Sequence, residues 1–259
     1  MLNMMRADMY RIFRGKGIYI TFAIMLAFAI LTVFVFRSAM QVGFVEEIPE
    51  TLEVMTGAYA VQLALDSMDV LMFMFLPLII ILAVSPFSSN AVKNELTIGI
   101  SRVQFYFSKF ALSTVLSVVL MALYIGISVV LATTIDGFGN WGNGFFTNIL
   151  KLFGMQVLFA LALNSVGMFF AFVTRNTGAA VGIYLAIMLA PQLIIGLLGM
   201  AFPRVMTFMY YDLASQFGIF AQVSRLSGME ISRGIAVGLG YLLIPVIGGI
   251  MLFKKAEIK

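Results

Sequence analysis

The stretch NELTIGISRVQFYFSKF, residues 94–110, is a polar interruption between two long apolar runs. It carries the charged residues Glu95, Arg102 and Lys109 in a chain in which only 11% of the residues are charged. Its single glycine, Gly99, suits the left-handed backbone conformation that often ends a helix. These features predict a structured corner at this point of the chain.

Two helix signals flank Gly99. A short helix over Ala91–Ile98 is expected to begin after Pro86 and a run of N-cap residues, and to end at Gly99. A second helix is expected to begin at Ser101, because Ser101 and Gln104 have the spacing of a capping box. The short helix is either a lever that transmits motion to the next apolar run or a connector whose charges reach the lipid headgroups.

The composition of the whole chain is that of an integral membrane protein. Of the 259 residues, 62% are hydrophobic and 11% are charged, whereas soluble domains carry roughly 25% charged residues. The mean hydropathy is +1.05. A soluble protein this apolar would lack the polar residues to cover its surface. No soluble domain of useful size remains outside the apolar runs, and we expect no nucleic-acid partner.

The residue types that are missing exclude several functions. The chain contains no cysteine and no histidine, which excludes disulfides, thiolate metal sites, Ser-His catalytic pairs and histidine-held haem or zinc. No G-x-x-x-x-G-K-[ST] sequence is present, and the glycine-rich stretch 137–144 lacks the lysine of a nucleotide-binding loop. We therefore expect no catalytic residue, no metal and no cofactor in this chain.

Six apolar segments are long enough to cross a bilayer, which takes about 20 helical residues. The predicted fold is a single all-α transmembrane domain over residues 1–259, because helices leave no backbone group unpaired in lipid. The predicted spans cover residues 18–36, 70–87, 110–133, 149–173, 178–202 and 234–253. The second span begins earlier, near Ala58, if Asp66 and Asp69 lie at its outer mouth. The first run has 19 residues and is longer than the apolar core of a signal peptide, so we expect it to be retained.

The basic residues predict the orientation in the cell membrane. If both termini lie in the cytoplasm, most of the 16 Lys and Arg residues fall on inner segments and most acidic residues fall on outer ones. The inner segments are then residues 1–17 and 88–109, and the long segment 203–233 is extracellular. We therefore predict a multi-pass protein with both termini in the cytoplasm.

Residues 1–17 have the pattern of an amphipathic helix. One face of a helical wheel carries Leu2, Met5, Met9, Ile12 and Phe13, and the opposite face carries Asn3, Arg11 and Arg14. Such a helix lies in the membrane interface, where anionic lipid attracts its basic residues. It either anchors the topology alone or also contacts a cytoplasmic partner.

The run Gly99-Ile-Ser-Arg102, followed by Tyr106 and Ser108-Lys109, resembles the cytoplasmic loop of ABC-2 type transporter permeases. It is most similar to the short permeases of Gram-positive peptide, lantibiotic-immunity and toxin exporters. Those permeases have a basic N-terminal interfacial helix, six spans, a coupling helix between spans two and three, and a long extracellular segment between spans five and six. Each feature has a counterpart here. Many members carry a Gly-Thr pair after an acidic residue in this loop, and this pair is missing after Glu95.

The resemblance implies a separate ABC ATP-binding subunit that holds ATP and Mg²⁺. It implies that five residues couple the permease to that subunit: Lys93, Glu95, Gly99, Arg102 and Lys109. Glu95 and the short helix would dock into a groove on the ATPase, while Arg102 and Lys109 hold the corner against that subunit or the lipid. It also implies a dimer with a second copy or a related permease, and short re-entrant helices in the extracellular segment.

Few charges lie within the spans, so a transporter driven by protons or sodium ions is not expected. The uncharged polar residues Gln156, Asn164 and Gln192 either bridge helices or line a substrate path. The spans are rich in Met and Phe, which suits an amphipathic cargo such as a bacteriocin, a lantibiotic or a peptide toxin. The alternative is a membrane scaffold or immunity protein that binds a peptide or a partner without transporting it.

Overall fold

The computed structural model describes residues 2–42, 56–88, 92, 95, 97, 99–139, 145–221 and 227–255. These residues form helices and short connections, with no strand among them. Within the described part of the chain, six helical segments are long and apolar enough to cross a membrane: Lys16–Ala39, Met68–Phe87, Arg102–Asp136, Phe145–Thr174, Thr177–Ala201 and Gly228–Lys255. The prediction of an all-α membrane protein with six spans is confirmed.

The helices follow one another in a simple order. The first half contains α1 (Leu2–Arg14), α2 (Lys16–Val42), α3 (Gly57–Asp66), a 3-10 helix (Met68–Leu71), α4 (Met72–Ile79), a π-helical turn (Ile80–Val84) and α5 (Ser85–Ser88). The second half contains α6 (Arg102–Asp136), α7 (Phe145–Thr174), α8 (Thr177–Ala201), a 3-10 helix (Pro203–Tyr211), α9 (Leu213–Ile219) and α10 (Gly228–Lys255).

The second span is helical throughout but is not a regular α-helix. Pro86 has no N–H group, and its ring crowds the carbonyl four residues earlier. The backbone responds with the π-helical turn, in which the N–H of Ser85 bonds to the carbonyl oxygen of Ile80, five residues earlier. The sequence predicts a span over residues 70–87. The structure has a continuous helical segment over Met68–Phe87 that contains this π-helical turn, and the buried helix α3 precedes it.

The long helices α6 and α7 form the centre of the bundle. Helices α2 and α3 pack against α6, whereas α8 and α10 pack against α7. Only 11% of the residues in the membrane-crossing stretches of α8 and α10 are buried. These two helices therefore turn most of their apolar surface outwards. The exposed residues include Leu193, Leu197 and Ile244. Exposed apolar side chains of this kind are expected where helices face lipid or another membrane subunit.

The molecule has two distinct poles. One pole carries α1, α5, the start of α6 and the ends of α7 and α10; because most of its charged residues are Lys or Arg, we call it the basic pole. At the opposite pole, the N–H of Gly57 donates to the carbonyl of Gly137 at 3.0 Å, and Arg37 forms an ion pair with Asp136 at 2.9 Å. These contacts hold α3 and α2 against the end of α6.

Candidate functional site

The corner predicted around Gly99 is present at the basic pole. Gly99 has a backbone φ of +94°, a conformation that residues with a Cβ atom rarely adopt. Ser101 and Gln104 form a complete capping box: the N–H of Gln104 donates to Ser101 Oγ at 3.2 Å, and the N–H of Ser101 donates to Gln104 Oε1 at 3.3 Å. This box starts α6 immediately after the glycine, as the sequence predicts.

The predicted short helix over Ala91–Ile98 is described only in part. Val92, Glu95 and Thr97 are helical. Lys93 and the other residues of that prediction lie outside the described residues. Of the five residues predicted to couple to the ATPase, Glu95 can be placed on this helix. Its side chain is 22% exposed.

Lys109 lies inside the protein at this corner. Its side chain is fully buried, and its Nζ lies 2.6 Å from both carboxylate oxygens of Asp8. The same ammonium lies 3.5 Å from Glu95 Oε1 and 4.8 Å from the centre of the Phe105 ring. Burying a charge is costly unless it is paired, so this arrangement needs the carboxylates. The resemblance placed Lys109 against a partner subunit or lipid. In the structure its ammonium lies between Asp8 of α1 and Glu95 of residues 89–101, which connect α5 to α6 and which we call the coupling segment.

Asp8 binds a second cation. Its Oδ1 accepts a 2.9 Å hydrogen bond from Arg11, one turn later on α1. Asp8, Arg11, Glu95 and Lys109 therefore form a cluster of two carboxylates and two cations with no net charge. We call this set the ionic junction.

Arg102 fixes the start of α6 to the end of α10. Its Nη1 donates to the carbonyl oxygens of Phe253 and Lys254 at 3.2 and 2.8 Å. The last carbonyls of a helix have no partner within the helix and carry partial negative charge, so a guanidinium binds well there. The guanidinium that the resemblance assigned to a partner subunit or lipid is thus bonded within the permease.

An aromatic cluster lies beside the ionic junction. Phe172 makes edge contacts with Phe87, Phe105 and Phe253 at ring-centre distances of 5.0 to 6.0 Å. It also lies 4.7 Å from the ring centre of Tyr106. Edge-to-face contacts of this kind add to the free energy of burial. Together they join α5, α6, α7 and α10 at the basic pole, so the corner rests on a packed base.

The polar residues of the spans are not equivalent. Asn164 is fully buried; its Nδ2 donates to Ser117 at 2.7 Å, and its Oδ1 accepts from Ser113 at 3.0 Å. Gln156 is also fully buried, and its Nε2 donates to the carbonyl of Phe217 at 3.0 Å. Both side chains therefore bridge helices, which was one of the two alternatives that the sequence left open. Their contact with a substrate remains a prediction.

Gln192 lies in a different environment, at the wall of a cavity of about 680 Å³ near the pole opposite the junction. The cavity lies between α8, α9, α10 and the second 3-10 helix, and its lining combines polar, aromatic and thioether side chains. The lining includes Gln192, Met206, Met209, Tyr210, Ser215 and Glu230. It is thus suited to molecules with both apolar and polar parts.

A second cavity of about 530 Å³ lies between α7, α8 and α10 and has an almost wholly apolar lining. Its wall includes Phe169, Phe170, Ile244 and Pro245. Tyr211 lines this cavity, and its neighbour Tyr210 lines the larger one, so the 3-10 helix Pro203–Tyr211 borders both. The extracellular segment predicted from the sequence therefore provides part of the wall of each cavity.

The short helix α9 lies within segment 203–233, which the sequence predicts to be extracellular. Asp212 caps it by accepting from the N–H and the hydroxyl of Ser215 at 2.8 and 2.7 Å. Phe217 is buried against Phe159 of α7, and α9 also contacts the 3-10 helix Met68–Leu71. The described part of segment 203–233 thus includes the 3-10 helix Pro203–Tyr211 and α9, and their re-entrant placement in the membrane stays a prediction.

Sequence reasoning missed Asp8, which we consider the most informative residue of the site. The helical wheel of residues 1–17 sorted side chains by apolarity, but α1 buries Met4, Asp8 and Ile12 on one face. The available signal was the spacing of Asp8, which lies four positions after Met4 and four before Ile12 and so shares a helix face with both. No group of three or more acidic side chains among the described residues is placed to hold a metal ion.

A sequence model of one known family matches more than half of the chain. The family is described as ABC-2 family transporter protein, and the match covers residues 6–192. These residues include all four members of the ionic junction and Gln192. No curated protein matches the chain significantly in sequence.

Proposed function

The chain belongs to the ABC-2 family of transporter proteins, and on that basis we propose that it is the permease of an exporter for amphipathic peptides. The family consists of membrane components of ABC transporters, which carry out no catalysis themselves. The proposed cargo class is a bacteriocin, a lantibiotic or a peptide toxin that leaves the cell or the membrane.

The pair of neighbouring cavities is the observation that carries the cargo proposal. One cavity offers an amide, a carboxylate, hydroxyls and thioethers, and the other is lined almost wholly by apolar groups. An amphipathic peptide presents both kinds of surface, whereas a sugar or a simple ion presents no large apolar face. Met206 and Met209 suit a variable cargo, because a thioether side chain adapts its shape to different apolar partners.

ATP hydrolysis is assigned to a separate ABC ATP-binding subunit. The docking surface on the permease is the basic pole, where Glu95 is partly exposed and lies next to the start of α6. Closure of two ATPase subunits on ATP would move the segment around Glu95. Because Gly99 and the capping box form a sharp, hydrogen-bonded corner, that movement would pass into α6 instead of being absorbed by a loose loop.

The working unit is proposed to be a dimer, formed with a second copy or a related permease. The outward faces of α8 and α10 are largely apolar and exposed, which leaves surface for another membrane subunit as well as for lipid. We propose that both termini lie in the cytoplasm, because the basic residues of α1 and of the end of α10 share one pole.

The test is purification of the chain in detergent together with the products of its neighbouring genes, followed by ATPase and export assays in proteoliposomes. We expect a stable complex whose ATP turnover rises with a cationic amphipathic peptide and does not respond to a sugar. Gln192→Ala is expected to raise the peptide concentration needed for half-maximal stimulation. A chain that purifies alone and binds peptide without any ATPase would contradict the exporter and favour a scaffold or immunity protein.

A further inference from the structure

The ionic junction joins three segments that are distant in sequence. Asp8 lies on α1, Lys109 lies on α6, and Glu95 lies on the segment between the second and third spans. Asp8 and Lys109 are separated by 101 positions, yet the Lys109 ammonium contacts both oxygens of the carboxylate at 2.6 Å. The interfacial helix α1 is thereby attached directly to the start of a membrane span.

The two carboxylates hold Lys109 unequally. Asp8 is buried, binds through both oxygens, and is itself oriented by Arg11. Glu95 approaches Lys109 through one oxygen at 3.5 Å, and its second oxygen is buried with no hydrogen-bond partner. A short contact through two oxygens between buried charges is strong, whereas one longer contact from a partly exposed carboxylate is weak. Asp8 is therefore the fixed partner, and Glu95 is the adjustable one.

A buried ammonium restricts how these segments can separate. Moving α1 away from α6 would leave the buried Lys109 ammonium with only its longer contact to Glu95, and Asp8 with Arg11 alone. Losing the principal partner of a buried charge carries a large penalty. Moving Glu95 by a small distance would break only the long contact. Forces applied to the coupling segment are thus expected to change the Glu95 contact first and to leave the contact between Asp8 and Lys109 intact.

We propose that Asp8 and Lys109 are positioning residues for energy coupling: they hold α1 and the start of α6 as one rigid unit that responds to the coupling segment through Glu95. The inference rests on the proposed ATP-driven function. It implies that α1 moves together with α6 during the transport cycle, in addition to lying at the membrane interface.

Distance measurement in the assembled complex tests the rigid unit directly. The chain contains no cysteine, so spin labels can be attached at Tyr10→Cys on α1 and Phe107→Cys on α6, both of which are exposed positions. Cysteines of the ATPase subunit are replaced, and labelled permease is diluted with unlabelled permease so that each complex carries one labelled copy. We expect the distance between the labels to stay within about 2 Å between the nucleotide-free and ATP-bound states. A change of several ångströms would overturn the proposal.

The amount of peptide exported per ATP hydrolysed tests whether Lys109 contributes to energy coupling. Lys109→Met is expected to lower this ratio about tenfold, a typical size for the coupling between two sites. Lys109→Arg is the conservative control and should retain most of the ratio, because a guanidinium can bind both oxygens of Asp8. A purely structural role would reduce the yield of complex and leave the ratio unchanged in the complexes that form, and that result would overturn the proposal.

The wild-type complex separates this inference from the function on which it rests. If wild type shows no export that depends on ATP, the proposed function fails and the inference fails with it. If wild type exports peptide but Lys109→Met keeps its coupling ratio, only the inference fails. If Lys109→Met does not assemble, the distance measurement decides, because it is made with all native charges of the junction in place.

Discussion

The guanidinium of Arg102 donates a 2.8 Å hydrogen bond to the carbonyl oxygen of Lys254, near the end of the last span. It also donates to the preceding carbonyl, that of Phe253. The first residue of α6 therefore caps the C-terminal end of α10 while its own helix is capped by Ser101. Two helix ends that would otherwise present unpaired backbone groups are thus capped side by side at the basic pole, α10 by Arg102 and α6 by Ser101.

Removing this guanidinium should lower the stability of the permease. We expect Arg102→Gln to reduce the free energy of unfolding by about 1–3 kcal/mol, because hydrogen bonds from a charged donor to two carbonyls are lost. Lys151→Gln also removes one positive charge, but at an exposed position, and its free energy of unfolding should stay within about 0.5 kcal/mol of wild type. Thermal unfolding in detergent measures both variants, and equal effects would contradict the capping role.

The two carboxylates that surround Lys109 should contribute unequally to stability. Asp8→Asn is expected to cost about 3–5 kcal/mol, since it leaves a buried ammonium without its principal counter-ion. Glu95→Gln should cost less than about 1 kcal/mol, because its contact is longer and partly exposed. Chemical unfolding of the two variants under the same conditions gives the comparison. A larger loss for Glu95→Gln would reverse the assignment of fixed and adjustable partners.

Asn164 and Gln192 provide a matched pair of polar residues in neighbouring spans. Asn164→Ala should lower stability by about 1.2 kcal/mol, because it removes two hydrogen bonds between membrane helices that contribute about 0.6 kcal/mol each, and should leave the half-maximal peptide concentration unchanged. Gln192→Ala should have the opposite pattern, with altered peptide response and little loss of stability, because Gln192 lines a cavity. Measurement of melting temperature and peptide-stimulated ATPase activity for both variants tests the distinction. Altered peptide response in Asn164→Ala would place the substrate path deeper in the bundle.

Close packing of α10 against α7 depends on a glycine. A Cβ at Gly238 would lie 2.8 Å from Cγ of Leu158, whereas a Cβ at Gly240 would meet no atom within 4 Å. Gly238→Ala is therefore expected to destabilise the bundle by about 1–3 kcal/mol through overpacking. Gly240→Ala should be neutral or stabilising by up to about 1 kcal/mol, because alanine loses less backbone freedom on folding. Comparison of the two melting temperatures is decisive: similar values would show that the helices separate easily.

Local features of the corner could be predicted from the sequence. Gly99 and the capping box of Ser101 and Gln104 depend on residues a few positions apart, and both are present in the structure. The six apolar spans were equally accessible, since length and hydropathy are properties of a continuous segment. These predictions succeeded because they required no knowledge of which helices pack together.

Features that depend on tertiary packing could not be predicted in this way. A lysine beside an apolar run has the same appearance in sequence whether it reaches the headgroups or, like Lys109, binds a buried aspartate. Asn164 and Gln192 are both polar residues in apolar helices, yet one bridges α6 and α7 and the other lines a cavity.

The length of α6 has a consequence for the membrane around it. Its 35 residues extend about 52 Å, whereas the hydrocarbon layer is about 30 Å thick. Lys109 near one end is neutralised by Asp8, and Asp136 at the other end is neutralised by Arg37. Small axial sliding or tilting of this helix therefore brings no unpaired charge into the acyl chains. We therefore expect the permease to tolerate bilayers of different thickness, with activity that varies little between short-chain and long-chain lipids.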